Sequence, residues 1–502
     1  MNNSNMYLEI ARIVEAGPER IALETGTDGK LRYGELDAEV ARYANALCES
    51  GLQRGDRVAV QVGKSVQSLL VYLACLRAGL VYLPLNTAYR SAELDYFLRD
   101  AEPGLILVEP EQRAAMEALS NASIGAAVMT AGEEGAVSLA QRAAACSNRF
   151  STAISEPGDL AVIIYTSGTT GRSKGAMVTH DNLVSNARAL TQEWQFTRED
   201  VLLHALPIFH VHGLFVANHC ALTTGARLLW HDRFDASDVV RDLARSTVLM
   251  GVPTYYVRLL GQRELSRETC GNMRLFISGS APLLAETHQA FEQRTGHRIL
   301  ERYGMSEAGM ITSNPYRGER RAGTVGFPLP GVEVRVVDAA DKPVPTGDKG
   351  AIQIRGRNVF SGYWRMPEKT REEFTADGWF RTGDIGTFDA DGYLSIVGRA
   401  KDLIITGGYN VYPKEIEQVI DELPGVLESA VIGVPHADFG EAVTAVVVAA
   451  AGAQIDTAAT IEALKKKLAA YKVPKSIYVV EALPRNAMGK VQKNVLRERL
   501  GQ

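Results

Sequence analysis

The sequence predicts an α/β protein: a large N-terminal domain of two doubly wound α/β subdomains plus a β subdomain, then a small mobile α+β C-terminal domain. Three observations carry this reading. Helical and strand patterns alternate from about residue 35 to 330, as βαβ units on a mostly parallel sheet do. From 324 to 398 the strands shorten, glycines multiply and turn pairs such as Pro330-Gly331 and Asp391-Gly392 appear, which reads as antiparallel β structure. The last hundred residues form an α+β pattern with a basic end.

In order along the chain, residues 36 to 50 have apolar helical spacing, with Gly51 just past the end where a left-handed cap favours glycine. A short strand over 57–62, a helix over 65–78 and a strand over 79–85 follow. Residues 150–158 are a polar connector. The apolar run 160–165 reads as a buried strand, and Thr179-His-Asp-Asn182 opens a helix with good capping residues. Two segments, 276–282 and 301–307, run from strand pattern into small residues. That suits the carboxyl ends of parallel strands, where α/β proteins place ligands. A boundary is expected at 398, giving a domain over 1–398, a hinge over 399–402 and a domain over 403–502. In the latter, Pro413 suits a first helical position, and 442–450 is an Ala/Val-rich strand.

Composition narrows the class. At 502 residues the chain is long enough for several cores. A net charge of −5 offers no basic field for nucleic acid. No apolar run reaches the roughly eighteen residues a membrane span needs, and the start lacks a signal-peptide pattern. The five cysteines are scattered and odd in number, which argues against a disulfide framework or a metal cluster. The expectation is a cytoplasmic protein with reduced thiols, a monomer or weak homodimer, with no nucleic-acid or membrane partner.

The chemistry centres on Ile164-Tyr-Thr-Ser-Gly-Thr-Thr-Gly-Arg-Ser-Lys-Gly-Ala-Met177. A buried strand gives way to glycines that let backbone approach a ligand and to N–H groups that can cradle an anion. Thr166, Ser167, Thr169, Thr170 and Ser173 add hydroxyls around Gly168 and Gly171, and Lys174 adds a mobile cation. The spacing is not that of a P-loop or a dinucleotide fingerprint. It suits a polyphosphate held while it is being broken. His210 and His212 are too few to make a metal site.

This loop resembles the phosphate loop of the adenylate-forming enzymes, a superfamily of acyl-CoA synthetases, adenylation domains and luciferases, and further motifs recur in that superfamily's order. Tyr303-Gly-Met-Ser-Glu307 matches its Tyr-Gly-x-Thr-Glu, with Ser306 in place of Thr; a helix start with a solvated Glu is the bland alternative. The resemblance implies ATP, Mg2+ and CoA as cofactor and substrates. It implies that Thr166 and Glu307 hold Mg2+, that Ser280, Ala281, Tyr303, Gly304, Met305 and Ser306 contact ATP or AMP, and that Asp384 takes the ribose hydroxyls with Arg399 nearby. Lys401 falls at the superfamily's hinge. Lys490, in Pro484-Arg-Asn-Ala-Met-Gly-Lys490, matches the lysine that bridges the acid and ATP. Lys493, Arg497 and Arg499 read as a solvated basic helix face. Gly407, Gly408 and Tyr409 match the loop lining the pantetheine channel, a plain turn being the alternative. His210 matches the residue gating acyl and CoA access, and His212 one packing beside the substrate.

Within the superfamily the segments 204–215, 251–260, 275–283, 301–307 and 312–315 most resemble malonyl-CoA synthetases. Malonate, with methylmalonate as a second acid, would then be the substrate. Arg258 is expected at the floor of the acid pocket, pairing the second carboxylate, with Ser280 and Met305 alongside; an arginine in a structural ion pair on a helix face is the alternative. Ligases for fatty or aryl acids, adenylation modules loading a carrier, and a non-catalytic nucleotide-binding regulator are the rivals. Acetylation of Lys490 by a lysine acetyltransferase is a further expectation.

Overall fold

The computed structural model describes residues 3–26, 29–131, 138–166, 173–406, 409–436, 438–486 and 490–501. The chain folds as two compact units. One comprises 1–334 and 354–380, the other 335–353 and 381–502.

The first unit holds two sheets. One has six strands in the order Ala127–Thr130, Leu105–Val108, Arg57–Gln61, Val81–Pro84, Leu160–Thr166 and Lys174–Thr179. All neighbours are parallel except the last pair. Leu105–Val108 and Val81–Pro84 are buried at every residue, as strands covered on both faces must be. The second sheet has nine strands, parallel through its centre and antiparallel at both ends. The alternating pattern read from the sequence is this pair of sheets and their crossover helices. Local chemistry sets the helix starts. Ser65 caps Val66–Ala78 by accepting from Ser68 N–H, and Thr179 caps His180–Glu193 by accepting from Asn182 N–H. Separate apolar cores lie against each sheet, one around Phe97 and Ile106, the other around Tyr256, Phe276 and Phe291.

The second unit holds a five-stranded sheet whose centre is the long hairpin Val426–His436 and Gly440–Ala449, with Ser476–Val480 added parallel to the latter. Pro413 begins the helix Pro413–Asp421, as expected. The division of the chain differs from a linear boundary at 398. Residue 398 lies inside the strand Leu394–Arg399, which pairs in an antiparallel hairpin with Phe380–Phe388. Thr382 also donates its hydroxyl proton to Ile352 O at 2.9 Å. Residues 381–398 thus group with the C-terminal unit.

Candidate active site

Thr166 closes the strand Leu160–Thr166 and pairs across the ladder with Lys174, which opens the next strand. The segment between, with Ser167, Gly168, Thr169, Thr170 and Gly171, lies outside the described residues. The strand Leu300–Met305 brings Tyr303, Gly304 and Met305 to a reversal through Ser306 and Glu307 into Gly309–Ser313. This is a hairpin rather than a helix start. Glu307 is accordingly buried, at 8% exposure.

Glu307 Oε1 accepts the Tyr363 hydroxyl at 3.2 Å and the Thr166 hydroxyl at 3.4 Å. Phe360 N–H donates to the Glu307 carbonyl at 2.8 Å and pins the backbone. A carboxylate and a hydroxyl side by side are hard oxygen donors of the kind Mg2+ takes. Among the described residues no group of three or more His, Cys, Asp or Glu could hold a metal. An ion at Thr166 and Glu307 would therefore take the rest of its shell from phosphate and water, which is the usual habit of Mg2+. Lys174 Nζ lies 4.4 Å above the Tyr363 ring and 3.5 Å from Glu373.

A second group of residues gathers where the strand Leu275–Ser278 ends. Ser280 has φ of +70°, a left-handed conformation that costs a serine about 1–2 kcal/mol. Such strain is typical of functional turns. Its hydroxyl sits 3.4 Å from His212 Nδ1. His212 begins a π-helical turn, His212–Ala217, and is buried. Its Nε2 has no hydrogen-bond partner among the described residues. Burial, and then the charge of Arg302, hold its pKa well below the usual range, so the imidazole is neutral at pH 7. His210, half-buried, turns Nδ1 toward His212 N–H at 3.4 Å.

Arg302 was not among the residues the sequence singled out. It is only 4% exposed, and its Nε and Nη2 find no acceptor among the described residues. Burial lowers its pKa to about 9, so it stays a cation at pH 7. An unpaired buried charge costs several kcal/mol, and an anion bound there would recover that cost. The available signal was an arginine inside a buried strand, directly before the Tyr303–Glu307 motif.

Arg258, expected to pair the second carboxylate, is exposed in the described structure. The helix Pro253–Leu260 turns Tyr256 and Leu259 into the core, which leaves Val257 and Arg258 exposed. Arg258 forms no hydrogen bond or ion pair with a described residue, so the helix-face ion pair is absent too; its charge is felt at Tyr255.

The remaining predicted residues lie in the second unit. Asp384, 3% exposed, accepts from Arg399 Nε at 2.8 Å. The two residues cast as nucleotide contacts thus hold each other. Lys401 sits in a 3-10 turn, its pKa lowered chiefly by burial. Lys490 is exposed. Its N–H donates to Asn486 Oδ1 at 3.0 Å and its carbonyl accepts from Asn486 N–H at 2.9 Å. The basic helix after it is not a solvated face. Lys493 pairs with buried Glu417 at 2.5 Å and Arg497 with Asp402 at 2.7 Å, while Arg499 alone is exposed. Tyr409 is exposed and stacks on Tyr471 at 4.6 Å. Gly407 and Gly408 lie outside the described residues.

The AMP-binding enzyme family matches residues 10–364, and the C-terminal domain of AMP-binding enzymes matches 415–490. The chain belongs to the AMP-binding enzyme family. It is an acid–thiol ligase of that family, and its relatives bear this out. The malonate–CoA ligase of Arabidopsis thaliana is 35% identical over 96% of this chain and 86% of its own. A feruloyl-CoA synthase of Amycolatopsis is 35% identical over the whole of both chains. Among solved structures, ATP-bound MatB from Rhodopseudomonas palustris is 55% identical, with a TM-score of 0.96 over 100% of this chain and 99% of that one.

Proposed function

We propose that this AMP-binding enzyme is an ATP-dependent malonate–CoA ligase, forming malonyl-CoA, AMP and pyrophosphate through malonyl-adenylate. The observation that carries the choice of acid is the buried guanidinium of Arg302, packed against Gly279 and within charge reach of His212, which Ser280 contacts. A diacid presents one carboxylate for reaction and has a second to place. A planar guanidinium pairs with that second group bidentately, and the Ser280 hydroxyl and His212 Nε2 can add neutral donors. A feruloyl or fatty-acyl chain would press apolar surface on Arg302 and leave its charge unpaired. Methylmalonate is a natural second substrate, because one extra methyl changes binding by about 1–3 kcal/mol.

In the first step a malonate oxygen attacks the α-phosphorus of ATP and pyrophosphate leaves. Both reactants are anions, and the Lys490 ammonium between them offsets the repulsion and favours in-line approach. Lys174 and the hydroxyls and N–H groups of 166–171 bind the phosphates, and Ser280 to Ala281 and Tyr303 to Ser306 line the nucleotide. Asp384, released from Arg399, takes the ribose hydroxyls. Thr166 and Glu307 would hold Mg2+, which when bound neutralises charge on the triphosphate. For the second step the C-terminal domain turns about Lys401, the segment Gly407-Gly408-Tyr409 admits the pantetheine arm past His210, and the CoA thiol displaces AMP. The thiol is the substrate's, so none of the chain's cysteines takes part. We place the enzyme in the cytoplasm as a monomer or weak homodimer. Acetylation of Lys490 would remove the bridging charge and silence it; a Lys490→Gln enzyme with full adenylation activity would refute that.

Pyrophosphate release measured across malonate, methylmalonate, octanoate and ferulate tests the reading. Malonate is expected to be the best substrate. Activity with octanoate or ferulate and none with malonate would overturn the acid assignment, and no AMP formation with any acid would overturn the enzyme assignment.

A further inference from the structure

One charge pair in the first unit joins the phosphate-binding Lys174 to a carboxylate, Glu373, that the chemistry above does not use. Lys174 Nζ lies 3.5 Å from Glu373 Oε1, with side-chain exposures of 15% and 24%. The same ammonium rests over the ring of Tyr363, whose hydroxyl is anchored on Glu307. Glu373 ends the helix Pro367–Glu373 and has a second cation one turn back, Lys369, at 3.3 Å; Lys369 also holds Glu372 at 2.9 Å.

We propose that Glu373 is the resident counter-anion of Lys174, exchanged for an ATP phosphate when nucleotide binds, with Lys369 then taking over Glu373. This rests on the nucleotide reading of Lys174. The physical case has three parts. An ammonium this enclosed needs a partner when no nucleotide is bound, and Glu373 supplies it without letting Lys174 leave the Tyr363 ledge. A phosphate carries more charge and more acceptor oxygens than a carboxylate, so the exchange runs toward ATP. Lys369, at helical i,i+4 spacing, keeps Glu373 from being left bare, so the exchange is cheap. Glu373 is thus a positioning residue that also weakens ATP binding, because each binding event must break its pair with Lys174.

The test is ATP–pyrophosphate exchange with malonate on the full-length protein, with ATP affinity also read by calorimetry, which needs no turnover. Partly exposed pairs of this kind support an effect of about two- to fivefold. Glu373→Gln is expected to lower the KM and Kd for ATP by that factor, with kcat and the malonate KM within twofold. Lys369→Gln is expected to raise them, because Glu373 then clings to Lys174. The double variant is expected to match Glu373→Gln. A merely structural role would lower Tm in both single variants and would not move ATP affinity in opposite directions. ATP affinity unchanged or weakened in Glu373→Gln overturns the exchange, and affinity unchanged or tightened in Lys369→Gln overturns the handover. Loss of adenylate formation by the unmodified enzyme with every acid is a separate result, which strikes the functional reading while the calorimetric shifts still judge this one.

Discussion

The guanidinium carbon of Arg302 lies 2.4 Å from where a β-carbon on Gly279 would stand. The two residues share that corner only because position 279 has no side chain. Gly279→Ala must therefore push the guanidinium aside, since the backbone of a buried strand end has little room to give. The expected result is a malonate KM raised about 10- to 100-fold, the value of a lost charged hydrogen-bond pair, with the KM for ATP within twofold. Steady-state kinetics on folded protein checks it. An unchanged malonate KM would remove Arg302 from the acid site.

Tyr363 gives Glu307 one of its hydrogen bonds at 3.2 Å. Tyr363→Phe keeps the ring under Lys174 and removes only that donor. A net loss of about 0.5–1.5 kcal/mol is the ordinary value of such a bond. The Mg2+ concentration giving half-maximal adenylation should rise about two- to tenfold, with the malonate KM unmoved. A Mg2+ titration of both enzymes reads this directly.

His180 is fully buried, its Nδ1 accepting from Met6 N–H at 3.1 Å. Burial lowers its pKa from 6.5 to about 4. Between those values the unfolded chain binds the extra proton, so stability rises with pH across that window and falls as acid is added. The loss by pH 4 is on the order of 3 kcal/mol. His180→Gln should flatten the decline in denaturation midpoint between about pH 6.5 and 4. A decline as steep as in the parent protein would assign it to other groups.

Asp421 shows the opposite sign in the second unit. Burial raises its pKa from 3.8 to about 6, despite a 2.7 Å hydrogen bond from Ser429. Its folded form prefers the proton, so it favours stability below about pH 4 and loses that advantage as pH rises through 6. Asp421→Asn keeps the acceptor without the charge. It should raise Tm by a few degrees above pH 6 and leave it unchanged below pH 4; scanning calorimetry at both pH values decides it.

Much of the fold was legible because local rules and tertiary outcome agree. The cap at Thr179, the proline at 413 and the buried strand from Leu160 follow from residue type and spacing alone. The Tyr303–Glu307 segment was legible as a motif, but its hairpin form was not. Other features depend on partners far away in the chain. Arg302 matters because of Gly279 and His212, and no local pattern announces an arginine without a counter-ion. Lys493 and Arg497 look solvated until Glu417 and Asp402, 76 and 95 residues away, are beside them. The exposure of Arg258 was legible too, since Tyr256 and Leu259 at core spacing turn its side of the helix outward.

The closing helix of the chain, Lys493–Leu500, doubles as a plug. Lys493 neutralises a Glu417 carboxylate that also receives Val431 N–H at 2.9 Å, and Arg497 ties down the turn next to Lys401. Trimming the protein after Val491 would strand that carboxylate in a dry interior and loosen the turn proposed as the pivot, so an apparently dispensable tail is where a truncation would do its damage.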